Sequence, residues 1–486
     1  MNHNAIDTMT NLKSFLDPRS VAVVGASRDR RKPGNLILRN IMDGGYKGTI
    51  YPVNPGGGEI EGLTAYPSVS AVPVKIDLVV IVLGRPHVEG ALIESIAAGA
   101  SSVCIVTAGF GEGDEMGKAA QVRFKQLVAE SGIVAIGPNT IGYINKEVDL
   151  FASFVNFPSW DDGPVALIAQ TGIYSGAVVH ELMSDPSQRI GIRLSIDIGN
   201  RIGLSELDLL EELSTRPDTE VLGFYIEEFD DARRFLARAA EVKREKPIVI
   251  LKPGRTPQGA QAALSHTGSL ASDDAILDQL MQQHGIIRAE DNEEFVGLLR
   301  TFSYSPTPAG RRVGIITYSG ALGITATDAV VQAGLEIAEL SSETSEKLNE
   351  LAPDWQHVSN PADLWSAAEP DPGKAARHCF PAMLNDPSVD QLFVVLLALP
   401  NVDFDGMREV FASMREQRPE IPIHLALHGG LRGEWANRLE GLGVVVHPSA
   451  RSAARAMAAL ATYSESRTLV PSAHVDDNEQ TPHGNR

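Results

Sequence analysis

The chain has 486 residues, a length that predicts about three domains rather than one hydrophobic core. Its 43% hydrophobic and 21% charged residues are typical of a soluble globular protein. The net charge of −20 argues against binding to nucleic acid or to an anionic membrane surface. No apolar run reaches the roughly 20 residues of a membrane helix, and residues 1–9 lack signal-peptide character, so we expect a cytoplasmic protein.

The first part of the chain, residues 10–145, alternates short apolar runs with helix-length patterns. Continuous apolar strands between helices predict a parallel sheet that is covered on both faces. We therefore expect a Rossmann-like, doubly wound α/β domain. The predicted strands are 21–24, 48–53, 78–82, 103–106 and 133–136, and helices are predicted at 87–98 and 116–131.

The first predicted strand runs into the turn Gly25-Ala26-Ser27, where such a domain places its phosphate-binding loop. The pattern G-x-G-x-x-G is absent, and the second strand ends at Asn54-Pro55 without the carboxylate that holds the ribose of NAD. A dehydrogenase is therefore disfavoured. A phosphate-bearing ligand is still compatible, because a cluster of cations follows the turn. An ordinary solvated loop is a comparable explanation for each of them: Arg28, Arg30, Arg31 and Lys32.

Two further rounds of the same pattern predict two more α/β domains, at residues 150–302 and 310–463. The Pro-rich stretch 303–310 separates them. The polar tail 464–486 is expected to be disordered. The predicted strands are 164–168, 194–198, 221–226 and 248–251 in the first of these domains and 312–316, 391–397, 423–427 and 444–446 in the second.

Each of these two domains begins with a strand that enters a Thr/Ser-Gly turn and then a helix. The turns are Thr171-Gly172 and Ser319-Gly320. Free backbone N–H groups and the positive end of a helix make such a turn an anion site. Routine helix capping explains one such turn equally well. Two copies in one chain favour phosphate binding.

The segment Ser265-His266-Thr267-Gly268 places one histidine among small residues, shortly after 246–254, a predicted buried strand that ends in a turn. An accessible imidazole with a pKa near 6.5 suits nucleophilic or acid–base chemistry. By itself the pattern is more typical of an ordinary polar loop. The two cysteines, Cys104 and Cys379, are too few and too far apart for a disulfide framework or a zinc site, and no metal site is expected.

These motifs, taken together, resemble the nucleoside-diphosphate-forming acyl-CoA synthetases over about residues 16–463. The chain is similar to the α-type chain of ADP-forming acetate–CoA ligase and, more distantly, to the α subunit of succinyl-CoA synthetase. The resemblance implies a Rossmann-like CoA-binding domain followed by two flavodoxin-like domains. The motifs that carry it are 20–27, 46–55, 107–110, 137–139, 170–172, 265–268 and Ser359-Asn360-Pro361-Ala362-Asp363-Leu364.

The resemblance also implies a mechanism. In this family an acyl-CoA and phosphate give an acyl phosphate, and a histidine then carries the phosphoryl group to ADP. His266 matches that histidine, and Glu227 matches the carboxylate that orients the imidazole, although Glu228 is adjacent and a surface acid is the alternative for either. Thr171 and Gly172 match the helix start that holds the phosphohistidine.

The resemblance also implies which residues bind CoA, and most of these follow predicted strands. The family often has a lysine after the Asn-Pro pair, whereas this chain has Gly56-Gly57-Gly58. Tyr174, Tyr318 and Trp365 also depart from the family pattern and imply a different acyl pocket. The implied CoA-binding residues are Gly25, Ala26, Ser27, Lys32, Asn54, Pro55, Thr107, Ala108, Gly109, Pro138 and Asn139.

No segment of the sequence resembles an ATP-grasp domain, which binds the nucleotide in this family. We therefore expect Mg-ATP or ADP to bind a separate β subunit, in a heterotetramer with two copies of each chain. The second substrate is a small carboxylic acid or its acyl-CoA, which the sequence does not name. The alternative is a non-catalytic CoA- or acyl-CoA-binding regulator.

Overall fold

The computed structural model describes residues 12–156, 160–177, 190–267, 274–369, 371–398 and 403–468. In this part of the chain, three largely parallel sheets follow one another, each with helices on both faces. The order of the parallel strands is the same in all three sheets. Numbered within its own domain, and with a two-residue strand in the third sheet left aside, each sheet reads 2-1-3-4-5, the flavodoxin-like order.

The first sheet has five parallel strands in the order β2-β1-β5-β6-β7, and the hairpin β3-β4 lies outside it. Its central strands are mainly apolar, and Leu78–Ile81 is entirely so, because helices cover both faces. The strands are β1 Ser20–Val24, β2 Thr49–Val53, β3 Glu59–Ile60, β4 Leu63–Thr64, β5 Leu78–Ile81, β6 Ser102–Ile105 and β7 Val134–Ile136, with helices α1 Pro33–Asp43, α2 Val88–Ala97 and α3 Glu115–Ser131.

The second sheet has seven strands in the order β14-β13-β12-β10-β11-β8-β9. Its last two strands form an antiparallel hairpin on the edge strand β11. The elements are β8 Gly142–Asn145, β9 Leu150–Ser153, β10 Val165–Ala169, β11 Ile192–Asp197, β12 Val221–Tyr225, β13 Ile248–Leu251 and β14 Ile287–Ala289, with α4 Glu206–Thr215, α5 Ala232–Val242, α6 Pro257–Thr267, α7 Asp274–Gln283 and α8 Asn292–Tyr304.

Strand β8 lies within the range predicted for the first domain, yet its backbone pairs with the second sheet. Leu194 of β11 is opposite Asn145, and Asn40 of α1 donates to the carbonyl oxygen of Ser153 at 2.7 Å. The hairpin therefore joins the two domains. The sequence pattern did not indicate this, because an edge hairpin is selected by long-range pairing rather than by local periodicity.

The third sheet has the order β16-β15-β18-β19-β20, and β17 also pairs with β15. The last helix, α15, packs against both α8 and α9, and so spans the second and third domains. The elements are β15 Arg312–Thr317, β16 Glu336–Ile337, β17 Ala362–Asp363, β18 Gln391–Leu397, β19 Ile423–His428 and β20 Val444–His447, with α9 Gly320–Gln332, α10 Ser342–Asn349, α11 Trp365–Ala368, α12 Pro372–Leu384, α13 Phe404–Gln417, α14 Arg432–Leu439 and α15 Ala450–Thr468.

The predicted tail requires one correction. Residues 464–468 are the last turns of α15 rather than the start of a disordered segment. Tyr463 is buried there, and its ring packs edge-on against Phe302 with centroids 5.3 Å apart, which extends the helix beyond the end of the apolar pattern. Residues 469–486 lie outside the described residues. No helix in the described part of the chain is long and apolar enough to cross a membrane.

Candidate active site

The three strand–turn–helix motifs all stand at equivalent places in the fold. In the 2-1-3-4-5 order, the connections that follow strands 1 and 3 run in opposite directions, which opens a crevice at the carboxyl ends of these two strands. The turn after β1 therefore lies beside the end of β5, the turn after β10 beside β12, and the turn after β15 beside β18. The fold thus creates three candidate ligand crevices.

At the first crevice, Gly25 allows two strand ends to approach closely. Its φ is +96°, and a Cβ there would lie 2.2 Å from the carbonyl oxygen of Val82. Asn54 closes the other side, since its side-chain amide donates to the carbonyl oxygen of Ala26 at 2.8 Å. These contacts bring the predicted residues Gly25, Ala26 and Asn54 to one place.

The cations that follow this turn differ in how far their charges are compensated. Arg30 forms an ion pair with Glu61 at 2.6 Å, and Arg31 forms one with Asp29 at 3.0 Å. Arg28 instead donates to the carbonyl oxygen of Gly57 and lies against the glycine loop. Neither Arg28 nor the exposed Lys32 pairs with a carboxylate in the described part of the chain. These two remain as the available positive charges near Ser27 and Pro55.

The other predicted CoA-binding residues lie farther along the same edge of the sheet. The backbone N–H of Asn139 donates to the carbonyl oxygen of Thr107 at 2.9 Å, which joins the loops after β6 and β7. Pro138 follows a cis peptide bond, and Asn139 has a φ of +61°. Gly109 donates its N–H to Glu112 at 2.6 Å. The structure thus connects Thr107-Ala108-Gly109 with Pro138-Asn139.

The second crevice is organised by Gln170, the residue after β10. Its side-chain oxygen accepts the backbone N–H groups of Glu227 at 2.7 Å and Glu228 at 2.9 Å. Its side-chain nitrogen donates to the carbonyl oxygen of Glu228 at 2.7 Å. The predicted phosphate turn Thr171-Gly172 is therefore held beside the predicted carboxylate Glu227, which is only 8% exposed.

A cavity of about 370 Å³ connects this crevice with the first domain. Predicted residues of both kinds line it: Ala108 and Asn139 from the CoA-binding set, and Thr171 and Gly172 from the phosphate set. This is the place where the first and second domains form one site. The remaining lining residues are Val106, Gly111, Glu112, Gln121, Lys125, Thr140, Ile141, Phe154, Gln170, Asp197, Gly199, Asn200, Arg201 and Glu228.

Asp197, at the end of β11, forms part of the cavity wall. Its carboxylate accepts the backbone N–H groups of Ile141 at 2.8 Å and Gly199 at 3.0 Å. Burial raises the pKa of Asp197 to about 7, in spite of these hydrogen bonds. Beside it, Arg201 pairs with Glu228 at 3.0 Å. The site therefore combines a buried acid with a compensated ion pair.

Two stacked tyrosines contact residues at this strand end. Tyr174 and Tyr225 stack with ring centroids 3.7 Å apart, and Tyr174 donates to the side chain of Asn292. Tyr225 donates to Glu227 at 3.3 Å. Burial raises the pKa of both phenols, so they act as hydrogen-bond donors at neutral pH.

The backbone of His266 lies in the last turn of α6, which follows β13. This differs from the sequence expectation of a loop, because residues 257–267 form a continuous helix. The side chain of His266 and the following Gly268 lie outside the described residues. The strand order places the end of β13, which leads into α6, next to the end of β12, which Glu227 follows closely.

At the third crevice, Ser319 and Gly320 begin α9 after β15. A Cβ on Gly320 would lie 2.9 Å from a carboxylate oxygen of Asp363, so a negative charge stands beside this turn. Within the described residues, neither Ser319 nor Gly320 lines the cavity of the second crevice. The structure therefore separates the two turns that the sequence presents as a pair.

Two residues of the cavity wall were not found by motif reasoning: Asp197 and Arg201. Asp197 ends the strand β11, and Arg201 lies in the loop after it. Polar residues at the carboxyl ends of parallel strands are the available signal, because ligands bind at that edge. The strand order determines which of these strand ends lie next to each other.

Comparison with known proteins agrees with this architecture. The family model for a CoA binding domain matches residues 19–146, and the model for a succinyl-CoA ligase like flavodoxin domain matches residues 162–302. The fold and site thus define a CoA-dependent ligase chain.

Individual relatives extend the match. The α subunit of acetate–CoA ligase (ADP-forming) I of Pyrococcus furiosus is 33% identical over 94% of this chain and 98% of its own length. Acetate–CoA ligase (ADP-forming) II of Archaeoglobus fulgidus is 33% identical over 95% of this chain and 68% of its own length. A dinucleotide forming acetyl-coenzyme A synthetase 1 of Ca. Korarchaeum cryptofilum, solved with phosphate and ADP, superposes with a TM-score of 0.85 at 30% identity, over 94% of this chain and 97% of that chain. The chain belongs to the family of ADP-forming acid–CoA ligases, whose members join a carboxylic acid to a thiol.

Proposed function

We propose that the chain is the α-type subunit of an ADP-forming acid–CoA ligase that works through a phosphohistidine at His266. The observation that carries this proposal is the second crevice, where Gln170 joins the turn Thr171-Gly172 to Glu227. Helix α6, which contains His266, leaves the neighbouring strand β13 at the same edge. A nucleophile, a carboxylate and an anion-binding turn are the groups that phosphoryl transfer through histidine requires.

In the direction that consumes acyl-CoA, a phosphate oxygen attacks the thioester carbonyl carbon. A C–O bond forms, the C–S bond breaks, and CoA leaves as a thiolate that takes up a proton. An imidazole nitrogen of His266 then attacks phosphorus, and the carboxylate leaves with the electrons of the P–O bond. Finally a terminal oxygen of ADP displaces the imidazole from phosphorus, which gives ATP.

Each proposed residue has a separate task in these steps. Glu227 accepts a hydrogen bond from one ring N–H of His266 and so leaves the other nitrogen free to attack. The backbone N–H groups at Thr171 and Gly172 stabilise charge on the phosphoryl oxygens. We assign the same anion-binding task to Ser319 and Gly320 at the third crevice.

We place CoA along the carboxyl edge of the first sheet. The close approach at Gly25 and the uncompensated charge of Arg28 suit a phosphate-bearing ligand. We expect Arg28→Ala to raise the Kd for CoA about two- to fivefold, as removal of an exposed charge contact does. In the control, Arg30→Ala, the Kd changes less, because Glu61 already compensates Arg30. Equal Kd values for Arg28→Ala and the unaltered chain, measured by calorimetry, would contradict this placement.

We further propose that a β subunit with an ATP-grasp domain binds Mg-ATP or ADP, in a cytoplasmic heterotetramer. Support comes from relatives that are named as α subunits and that match this chain over nearly their whole length. The substrate is a carboxylic acid or its acyl-CoA. Tyr174 stacks on Tyr225 beside the phosphate turn, which favours an acyl pocket unlike that of a plain acetate enzyme.

The first experiment is intact-mass analysis of the chain, purified with its bound partner and incubated with Mg-ATP. We expect a gain of one phosphoryl group that is lost in acid and is absent in His266→Ala. We expect His266→Ala to reduce turnover by a factor on the order of 10³ or more. CoA binding without a phosphoenzyme, in the presence of an ATP-binding partner, would indicate a CoA-binding regulator instead.

A further inference from the structure

Two buried lysines flank strand β13, one at each end. Lys246 precedes the strand, Lys252 follows it, and each is only 8% exposed. Lysine is rarely buried to this extent unless its ammonium group is paired. The two residues therefore offer a comparison within one strand, at opposite edges of the sheet.

The partners of these two lysines differ. Lys246 donates to the carbonyl oxygens of Leu213, at 2.9 Å, and Arg216, at 2.5 Å. Lys252 donates only to the carbonyl oxygen of its own neighbour, Pro253, at 3.2 Å. In the described part of the chain no carboxylate forms an ion pair with Lys252. The ammonium group of Lys246 therefore has two carbonyl acceptors within the protein, whereas that of Lys252 has one in the same part of the chain and can donate further hydrogen bonds to a ligand.

In the described ranges, the carboxylates around Lys252 do not serve as partners for its ammonium group. Burial lowers the pKa of Lys252, while Asp274, Glu227 and Glu228 raise it from a distance. Asp274 is already bound by Arg288, whose guanidinium donates to it at 2.5 Å. The carboxylates near Lys252 are thus either distant or engaged elsewhere.

Lys252 also follows the strand next to the one that Glu227 follows. The backbone N–H of Ile226 donates to the carbonyl oxygen of Leu251 at 3.1 Å, so Lys252 and Glu227 leave adjacent strands side by side. Lys252 lies between β13 and α6, the helix that contains His266. Arg201 already compensates Glu228, so a phosphoryl group beside this strand end meets the negative charge of Glu227, and a further cation would stabilise it there.

We propose that the ammonium group of Lys252 binds the oxygens of the phosphoryl group that His266 receives and releases. This proposal rests on the proposed function, because it requires phosphoryl transfer at His266. It adds a phosphate-binding side chain to the backbone groups of Thr171 and Gly172. The site then recognises inorganic phosphate, acyl phosphate and phosphohistidine through one shared charge.

The test compares Lys252→Met, Lys252→Arg and Lys246→Met in the complex with its partner subunit. For Lys252→Met we expect the KM for inorganic phosphate to rise about tenfold or more, with the KM for CoA unchanged. Lys252→Arg retains the charge and restores part of the phosphate affinity. Lys246→Met lowers the melting temperature but leaves the KM for phosphate within about twofold, since its partners lie at the opposite edge.

A second measurement uses the unaltered enzyme and does not depend on how the variants fold. The complex is treated with an amine-reactive reagent, and modification of each lysine is followed by peptide mass spectrometry. We expect inorganic phosphate to slow modification of Lys252 and to leave that of Lys246 unchanged. Equal rates at Lys252 with and without phosphate, or equal KM values for Lys252→Met and unaltered enzyme, overturn the proposal.

The outcomes distinguish this proposal from the proposed function. If the unaltered complex forms an acid-labile phosphoenzyme and Lys252→Met forms it at the same phosphate concentration, only the role of Lys252 fails. If the unaltered complex turns over substrate without phosphorylation at His266, the proposed function fails with it.

Discussion

The second and third crevices start from the same local design and differ in what surrounds it. Each has a strand in position 1 of a 2-1-3-4-5 sheet, a Thr/Ser-Gly turn and a helix. At the second crevice the turn borders a cavity and is tied to the buried Glu227 by Gln170. At the third, the carboxylate of Asp363 stands beside Gly320, and the side chain of Trp365 is 53% exposed.

This difference shows that the turn alone does not define the chemistry of a site. The turn supplies backbone N–H groups and a helix end, which any such motif provides. The neighbouring strand ends supply the groups that can react, and these differ between the sheets. Glu227, Asp197 and Lys252 lie at the edge of the second sheet. The edge of the third sheet presents the carboxylate of Asp363 together with the exposed apolar side chain of Leu397.

The largest expected difference between the crevices concerns their carboxylates. We expect Glu227→Gln to lower kcat/KM about 100-fold or more, because the imidazole of His266 loses the group that orients it. Asp363→Asn has a smaller effect, since Asp363 accepts the backbone N–H of Trp365 at 3.1 Å and lies in another sheet. The measurement is steady-state kinetics of both variants with acyl-CoA, phosphate and ADP.

Glu228→Gln is the control for this pair. Glu228 pairs with Arg201 and is adjacent to Glu227. The variant therefore tests whether either carboxylate at this strand end can orient the imidazole of His266. We expect its effect on kcat/KM to be less than about tenfold, as for a partly exposed ion pair. Similar losses for Glu227→Gln and Asp363→Asn would show that both crevices act in the same step.

The two glycines of the turns provide the next comparison. A Cβ on Gly172 would lie 2.3 Å from Cγ2 of Ile141, whereas a Cβ on Gly320 would lie 2.9 Å from a carboxylate oxygen of Asp363. We expect Gly172→Ala to cost about 1–3 kcal/mol of stability by overpacking and to reduce phosphoenzyme formation. Gly320→Ala costs less, because the side chain of Asp363 can rotate away.

Melting temperatures and phosphate labelling of the two alanine variants check this prediction. Gly430→Ala is a suitable reference, since a Cβ there has no heavy atom within 4 Å. A larger loss of labelling in Gly320→Ala than in Gly172→Ala contradicts the assignment of the reaction to the second crevice.

The last comparison is a pH dependence of stability, which has opposite sign in the two domains. Burial raises the pKa of Asp197 to about 7. Burial also raises the pKa of Asp386 in the third domain, but hydrogen bonds from Ser388 and Ser341 outweigh it and lower that pKa to about 2. Protonated Asp197 therefore stabilises the fold below about pH 4, and this stabilisation is lost as the pH rises towards 7. The contribution of Asp386 is present above about pH 4 and is lost as the pH falls towards 2.

Thermal melting between pH 3 and pH 8 measures both effects, on a scale of about 1.4 kcal/mol per pKa unit. We expect the stability difference between the unaltered chain and Asp197→Asn to shrink as the pH rises from 4 to 7. For Asp386→Asn, the corresponding difference shrinks as the pH falls from 4 to 2. A difference for Asp197→Asn that is constant across pH 4–7 would show that Asp197 is ionised in the folded protein.

Much of the fold could be predicted from the sequence, because its strands are short apolar runs whose buried faces require helices on both sides. Runs such as 248–251 and 391–397 are predicted with the bounds that the structure has. The motifs also indicated the family, and the comparisons confirm it. The roles of His266 and Glu227 stay predictions that the experiments above address.

What the sequence by itself determined was therefore the class of domain, the family and the turns that begin each helix, since these depend on local pattern. Only the tertiary structure decided which strand ends meet. Ala108, Asn139 and Thr171 line one cavity, and β8 pairs with the second sheet. The ammonium group of Lys252 is buried and, among the described residues, donates one hydrogen bond, to the carbonyl oxygen of Pro253. Strand order and the pairing of distant segments produce these contacts, and neither is encoded in the spacing of residues along one element.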